Sequence, residues 1–131
     1  MKKVIFLDFD GVLTSGKNYD ALVSAGKPVS DEYGDLFDPE AVANLQMILE
    51  NTGASVVISS NWNVLGLGTM KDMWKKRGLS GKIAGIAVEG GLEDFDLDAF
   101  TKEQQSRFVK VNPMVGLTLE DALKAIEILN R

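Results

Sequence analysis

The sequence predicts an α/β fold, a Rossmann-like three-layer sandwich in which helices cover both faces of a mainly parallel central sheet. Short apolar runs of strand length alternate with amphipathic helical patterns, an order that is typical of parallel sheets. The first run, at 4–7, is apolar throughout and indicates a strand that is buried on both faces. A chain of 131 residues can bury a core of its own, so we expect one domain over residues 1–131.

The first strand is predicted over residues 4–10, and a long connection follows it. Residues 14–36 are rich in Gly, Ser and Asp and have only weak apolar periodicity. Connections of this length usually serve as lids or binding loops. We therefore expect a short flap at about 14–36 that covers a functional site.

A helix is predicted next, because Asp38 is a good N-cap residue and Pro39 fits the first helical position. Gly53 is expected to end this helix. The predicted buried stripe consists of Ala41, Leu45, Ile48 and Leu49. A second core strand is predicted at 56–58 and a third at 82–88.

A short basic helix is predicted between these two strands. Met70, Met73 and Trp74 fall at the i, i+3 and i+4 positions of one face, and such a stripe favours core packing over a cofactor site. Towards the end of the chain, a capping box predicts a helix at 101–107, and a short strand is expected at 108–111.

A second capping box at Thr118 predicts the last helix. Its expected shared apolar face consists of Leu119, Leu123, Ile126 and Leu129. Between the third strand and residue 92 only three residues are left, whereas a parallel crossover needs about a dozen or more. Either a helix has been lost, or residues 92–98 form a loop, or the sequence omits a segment; the residues themselves leave these three alternatives open.

The composition excludes several classes of enzyme. The chain has no histidine and no cysteine, which removes Ser-His-Asp triads, cysteine nucleophiles, disulfides and the usual zinc sites. Acid–base chemistry at neutral pH therefore falls to carboxylates or lysine. No apolar run approaches the length of a membrane span. Asp8 and Asp10 interrupt a would-be signal sequence, so we expect a cytoplasmic protein that does not bind membranes.

The net charge of −5 gives no strong reason to expect nonspecific nucleic-acid binding, which depends on cationic surface. A local exception is a group of basic residues, Lys71, Lys75, Lys76, Arg77 and Lys82. A solvated helix face is the simplest interpretation of this group, and a rim that attracts phosphate is the alternative. The sequence predicts no oligomeric state.

The sequence Asp-Phe-Asp-Gly-Val at 8–12, with Thr14 shortly beyond, resembles the first motif of the haloacid dehalogenase (HAD) superfamily. Residues 37–45 and 54–62 continue the resemblance. The commonest members of this superfamily are magnesium-dependent phosphatases. The resemblance implies a HAD-like fold with a minimal cap or none, a Mg²⁺ cofactor and a phosphorylated substrate.

Asp8 and Asp10 suit a two-step phosphoryl transfer. A carboxylate can attack a phosphoryl group, and Asp8 is the natural nucleophile because it comes first, at the strand end. Asp10 can protonate the leaving oxygen and later deprotonate the water that cleaves the intermediate. Mg²⁺ usually takes one or two carboxylates, and the resemblance implies that the carboxylate of Asp8 and the backbone carbonyl of Asp10 bind it.

A third metal ligand is expected in the acidic segment at 93–98. Asp94 is favoured, ahead of Asp98 and Asp96, because the resemblance places paired acids after an apolar strand. The alternate acids also resemble a calcium loop, but the glycine and the glutamate that such a loop requires are missing. A solvated acidic loop is the other alternative.

A hydroxyl group after the second strand is expected to bind the transferring phosphoryl group. Ser60 is preferred and Ser59 is its competitor, because strand alternation lets only one of the two face the site. The remaining predicted substrate-binding residues are Gly11, Asn61 and Lys75. Lys71, Lys76 and Lys82 are alternatives to Lys75 as the lysine that neutralises phosphate.

These residues support a magnesium-dependent phosphomonoester hydrolase that acts through an aspartyl-phosphate. Its substrate is open, with nucleotides and phosphorylated nucleic-acid ends among the candidates. The alternative is a catalytically impaired HAD-like module that binds phosphate or another ligand. A phosphoacceptor signalling domain is a third hypothesis, which Asp10 disfavours because it is placed to hydrolyse the intermediate.

Overall fold

The structure, a computed structural model, describes residues 3–86 and 109–131. The β-strands in chain order are β1 Val4–Leu7, β2 Ser30–Asp31, β3 Gly34–Asp35, β4 Ser55–Ile58 and β5 Ile83–Ile86. The α-helices are α1 Gly16–Ser24, α2 Pro39–Thr52, α3 Leu67–Lys76 and α4 Leu119–Leu129. A 3₁₀ helix spans Asn61–Leu65.

The central sheet is parallel and has the order β1-β4-β5 in the described part of the chain. Its strands alternate with helices, so the predicted α/β, Rossmann-like fold is confirmed. Val56 and Ile58 of the central strand β4 point to the same face of the sheet and are fully buried in the hydrophobic core there. The expectation that β1 is buried on both faces is wrong: Leu7 faces the core, whereas Phe6, on the opposite face, is 70% exposed.

Helix α2 follows the predicted pattern. The side chain of Asp38 accepts a hydrogen bond from the backbone N–H of Glu40, and Gly53 terminates the helix in a left-handed conformation. All four residues of the predicted stripe are buried, and the polar Asn44 is buried beside them. Asn44 is tolerated because its Nδ2 donates to the backbone carbonyl of Leu117 at 2.9 Å.

Helix α3 supplies the other side of the core. Met70, Met73 and Trp74 are all buried, as the sequence predicts. Trp74 stacks on Phe9, with 6.4 Å between ring centroids, and its indole N–H donates to the backbone carbonyl of Ser80. Phe9 is itself fully buried, so the turn after β1 is anchored in the centre of the core.

The segment predicted as a flap contains regular structure. Helix α1 begins after Ser15, whose side chain accepts from the backbone N–H of Asn18, and the antiparallel hairpin β2–β3 follows. No residue of α1 is buried. Its apolar periodicity is weak for that reason, which is why the sequence did not predict a helix here.

The end of the chain agrees with the prediction only in part. The capping box at Thr118 is confirmed, with reciprocal hydrogen bonds to Asp121, and α4 packs against α2. The predicted apolar face is wrong in its first half, because Leu119 and Leu123 are more than half exposed while Ala122 is buried. Residues 109–112 form no strand. The predicted helix at 101–107 and the crossover near 88–92 lie outside the described residues.

Among the helices of the described residues, none is long and apolar enough to cross a membrane.

Candidate active site

The turn after β1 is held by its own backbone. The carbonyl of Phe9 accepts from the N–H groups of Val12, Leu13 and Thr14, at 3.1, 2.9 and 3.0 Å. Gly11 has φ +80, a left-handed conformation that favours glycine, and its N–H donates to Oγ1 of Thr14 at 3.0 Å. The chain thus leaves the strand abruptly, with Asp8 and Asp10 on either side of the buried Phe9.

A later segment, residues 112–117, fastens this turn from outside. The N–H of Gly16 donates to the carbonyl of Pro113 at 3.1 Å, and the N–H of Leu117 donates to the carbonyl of Val12 at 2.9 Å. Pro113 lies so close to Gly11 that a Cβ at position 11 would come within 2.8 Å of the proline Cβ. The turn is therefore fixed by contacts that are distant in sequence.

Asp8 is half-buried at the carboxyl end of β1. Its Oδ1 accepts a hydrogen bond of 2.7 Å from the N–H of Phe9. This bond fixes one carboxylate oxygen against the backbone at the strand end, where parallel sheets bind their ligands.

Ser59 lies level with Asp8, just beyond the paired ends of β1 and β4. β1 and β4 pair with Leu7 beside Ile58, and the N–H of Ser59 donates to the carbonyl of Leu7 at 2.7 Å. Ser59 therefore follows β4 at the same level at which Asp8 follows β1. Ser60, one residue on, caps the 3₁₀ helix by accepting from the N–H of Trp62 at 3.3 Å.

Asp10 is exposed, and its carboxylate contacts the loop after β4. The indole Nε1 of Trp62 donates to Oδ1 of Asp10 at 3.1 Å. A charge-assisted bond of this kind is stronger than one between neutral groups. It sets the orientation of the second acid of the motif.

Trp62 is in turn held by an aromatic cluster that the sequence did not predict. Its ring meets Phe9 edge to face at 5.2 Å and lies 5.6 Å from Phe37 between centroids. The guanidinium carbon of Arg77 lies 5.3 Å from the indole centroid, a cation–π distance. On the hairpin side the indole ring lies close to Gly34, which has φ +139: a Cβ added at position 34 would come within 3.1 Å of the ring.

Arg77 joins the end of α3 to the hairpin. Its side chain is only 9% exposed; Nη2 donates to Oδ1 of Asp31 at 2.6 Å and to the carbonyl of Gly34 at 3.1 Å. Burial alone would raise the pKa of Asp31, but the hydrogen bonds from Arg77 and from the N–H of Tyr33 outweigh it and hold that pKa below its usual value. Arg77 therefore fixes the hairpin beside Trp62.

The other predicted binding residues lie around this centre. Asn61 is exposed at the start of the 3₁₀ helix, and Lys75 is exposed in the last turn of α3. Lys76 pairs with Glu32 of the hairpin, whose hydrogen bond raises the lysine pKa. Asp94, with Asp96 and Asp98, lies outside the described residues.

Asp8 and Asp10 suit Mg²⁺ as carboxylate donors at a strand end. The described part of the chain adds no third acid to these two aspartates, because no group of three acidic side chains within residues 3–86 and 109–131 could hold a metal ion. A hard cation that keeps several water ligands is bound in proteins by one or two carboxylates, so the pair fits such an ion.

A cavity of about 270 Å³ opens beside the turn, between α1 and the hairpin. Its lining residues come from four segments of the chain: Gly11, Thr14, Ser15, Gly16, Tyr19, Leu22, Val29, Asp35, Leu36 and Pro113. The predicted flap therefore forms one wall of a cavity next to the site.

Trp62, Arg77 and Pro113 are site residues that sequence reasoning missed. The only local signal was the position of Trp62, four residues after the end of β4 at Ile58. Nothing in the sequence indicates that Arg77 leaves the basic helix face to pack against rings, or that Pro113 reaches Gly11.

Comparison with known proteins agrees with this arrangement. A family model described as the HAD domain in Swiss Army Knife RNA repair proteins matches residues 4–93, more than half of the chain. No curated protein and no solved structure matches the sequence. The matched region begins at β1 and contains both aspartates, both serines and Trp62. The chain therefore belongs to the HAD superfamily, in the family of that model.

Proposed function

We propose that the chain is a Mg²⁺-dependent phosphomonoester hydrolase that acts through a covalent phosphate on Asp8. The observation that carries the proposal is that Asp8 and Ser59 follow the paired strands β1 and β4 at the same edge of the parallel sheet, with Asp10 bonded to Trp62 just beyond. Membership of the HAD superfamily supports a phosphatase-like hydrolase.

In the first step a carboxylate oxygen of Asp8 attacks phosphorus, and the bond from phosphorus to the leaving oxygen breaks. Asp10 gives its proton to that oxygen, so that an alcohol leaves and an aspartyl-phosphate remains. In the second step a water oxygen attacks phosphorus while Asp10 takes the water proton. Inorganic phosphate departs, and the Asp8 carboxylate is restored.

Mg²⁺, when bound, screens the negative charge of the phosphate from that of Asp8. Asp8, the backbone carbonyl of Asp10 and Asp94 are the residues we propose for the ion. A serine hydroxyl after β4 is proposed to donate to a phosphoryl oxygen, and its preorganised position lowers the barrier. We favour Ser59 for this role, although the sequence alone prefers Ser60, because Ser59 lies level with Asp8 while Ser60 caps the 3₁₀ helix.

We propose phosphorylated RNA ends as the substrate class. The description of the matching family, which names RNA repair proteins, supports this choice. The insert between β1 and α2 is small: it contains only α1 and a hairpin whose two strands have two residues each. Such an insert would leave room for a large substrate. Gly11, Asn61 and Lys75 remain the proposed substrate-binding residues beside the serines.

Turnover of an aryl phosphate, with and without Mg²⁺, tests the proposal on the wild type and on Asp8→Asn. We expect hydrolysis that requires the metal and that falls to background in Asp8→Asn, while calorimetry detects Mg²⁺ binding to the wild type. Equal rates in wild type and Asp8→Asn would refute the role of Asp8. Phosphate binding that requires the metal, without any turnover, would instead favour the impaired binding module.

A further inference from the structure

The cavity beside the turn has walls of two kinds. Its apolar wall is formed by Leu22 of α1 and by Val29 and Leu36 around the hairpin, with Tyr19 half-exposed at 46%. These side chains come from the segment that the proposed mechanism leaves unused. A volume of about 270 Å³ lies just below the range of about 300–1,000 Å³ that is usual for ligand pockets. The cavity therefore suits one ring system and not an extended chain.

The hydroxyl groups of Thr14 and Ser15 in the lining are already engaged. Oγ1 of Thr14 accepts from the N–H of Gly11 and donates to the carbonyl of Phe9 at 3.4 Å. Oγ of Ser15 donates to the carboxylate of Asp38 at 2.8 Å and accepts from the N–H of Asn18 at 3.0 Å. Neither hydroxyl is left to select a ligand.

Asp35 differs from Thr14 and Ser15. It is exposed, and its backbone carbonyl accepts from Arg77 at 3.0 Å, but its carboxylate forms no hydrogen bond or ion pair with the described residues. A free carboxylate accepts hydrogen bonds and donates none. The carboxylate of Asp35 therefore favours a ligand that presents two adjacent N–H donors along one edge of a ring.

The cavity and the proposed active site share a wall. Gly11 lines the cavity and directly follows Asp10. On the other side Asp35 follows Gly34, which touches the indole ring that bonds Asp10. Asp8 and Asp10 do not line the cavity themselves, so a group that is covalently joined to a phosphate at Asp8 would reach the cavity past Gly11.

We propose that this cavity binds the base of the nucleotide that carries the phosphate, and that Asp35 selects guanine. The inference rests on the proposed function for the position of the phosphate. Guanine presents two adjacent donors, N1–H and the 2-amino group, which match the two oxygens of a carboxylate. Uracil presents one N–H between two carbonyl oxygens, and these oxygens repel the carboxylate.

The apolar wall receives the flat face of the base, with Tyr19 at the rim as a stacking surface. Adenine and cytosine are intermediate, because each offers one amino donor beside a ring nitrogen that repels the carboxylate. Discrimination by a bidentate pair of this kind typically reaches about tenfold or more.

The test measures binding in a protein that cannot turn over substrate. Titration of Asp8→Asn with guanosine and uridine monophosphates, as both the 3′ and 5′ isomers, gives their dissociation constants in the presence of Mg²⁺. We expect the guanine nucleotide to bind about tenfold more tightly. Adding Asp35→Asn should reduce this preference to roughly twofold or less.

Two further variants separate the contributions. Asp20→Asn removes an exposed acid of α1 that is not part of the lining, and should leave the preference unchanged. Tyr19→Ala should weaken both nucleotides and keep the preference, because a stacking surface does not distinguish the two bases. Because the side chain of Tyr19 is 46% exposed, we expect Tyr19→Ala to fold, so that weaker binding reports the lost stacking surface.

Equal affinity for the two nucleotides, or a preference that survives Asp35→Asn, overturns the inference. Failure of the base site and failure of the proposed phosphatase activity give different results. A guanine preference without aryl phosphate turnover would leave the cavity as a nucleotide site in a protein that is not a phosphatase. Turnover that depends on Asp8, with equal binding of the two bases, would remove the base site alone.

Discussion

The indole N–H of Trp62 donates to the carboxylate of Asp10 across 52 positions of sequence. This bond joins the loop after β4 to the turn after β1. The indole is fixed by Phe9 and Phe37, and Arg77 lies over its face. A flexible aspartate at the protein surface thereby gains a defined orientation, which a residue in proton transfer requires.

Trp62→Phe should lower kcat by roughly five- to tenfold with little change in KM. The phenyl ring keeps the packing, while the charged hydrogen bond, worth about 1.5 kcal/mol in a partly exposed position, is lost. Steady-state kinetics with an aryl phosphate measures both constants. Trp74→Phe is the matched control, since it keeps an aromatic ring beside Phe9 and removes an indole bond to Ser80 instead of one to Asp10, so it should affect stability without changing kcat. Equal kinetic effects in the two variants would contradict a positioning role for Trp62.

Asp10→Asn should reduce turnover by about 10²- to 10⁴-fold, the usual contribution of general acid–base catalysis. An aryl phosphate with a good leaving group needs no proton in the first step, so the variant should accumulate phosphoenzyme. Acid quenching and mass spectrometry of the intact chain would detect an added phosphate. Asp8→Asn in the same assay should carry none, and a phosphate found on Asp8→Asn would place the nucleophile elsewhere.

Ser59→Ala and Ser60→Ala should differ in kind. We expect Ser59→Ala to lower kcat by about 10²-fold or more, as removal of a preorganised donor does. Ser60→Ala removes an N-cap and should cost about 1 kcal/mol of stability with a smaller change in kcat. Kinetics and urea unfolding on both variants check this division. The reverse pattern would favour Ser60 as the phosphate ligand.

Gly11→Ala should destabilise the protein by roughly 2 kcal/mol or more. The left-handed φ strains any Cβ, and here the added carbon also meets Pro113 at 2.8 Å. Gly26→Ala is the control: its φ is +68, but no atom lies within 4 Å of the added carbon, so only the backbone strain is paid. Equal losses in free energy of unfolding would show that the contact with Pro113 contributes nothing.

The ion pair of Asp31 and Arg77 should make stability depend on pH on the acid side. Because the pKa of Asp31 is lowered in the folded protein, its stabilising effect is complete above the usual value of 3.8 and is lost as pH falls below it. The difference in free energy of unfolding between wild type and Asp31→Asn should therefore be largest near about pH 6 and shrink below about pH 4. In an Arg77→Met background, the difference in free energy of unfolding between the proteins with and without Asp31→Asn should depend less on pH. An equally strong pH dependence there would show that a residue other than Arg77 lowers the pKa of Asp31.

Within residues 3–86 and 109–131, local signals in the sequence predicted most of the parallel sheet and three of the four α-helices. Caps at Asp38 and Thr118 are short-range hydrogen bonds, and the stripe on α3 follows directly from helical periodicity. Helix α1 has a local cap at Ser15 but buries no residue, so no apolar stripe marks it. The hairpin depends on Arg77, whose contacts with it span more than forty residues. The first half of the α4 face was misjudged because Ala122, and not Leu119 or Leu123, is buried there, whereas Ile126 and Leu129 pack against the core.

The position of the candidate site was predictable to the extent that parallel strands end at one edge. By that rule Asp8 follows β1 and Ser59 follows β4 at the same level, while the catalytic roles of these residues stay predictions. The bond from Trp62 to Asp10 and the approach of Pro113 to Gly11 depend on tertiary packing, and residue spacing contains no trace of either.

The fastening of the first turn by residues 112–117 has a consequence for biosynthesis. Residues 112–117 leave the ribosome about a hundred residues after the turn, so the nascent polypeptide carries a loop without its outer contacts over that interval. A chain arrested before residue 112 would keep both aspartates and the local bonds of the turn, yet lack the bonds that join the turn to Pro113 and Leu117, and we expect it to be inert.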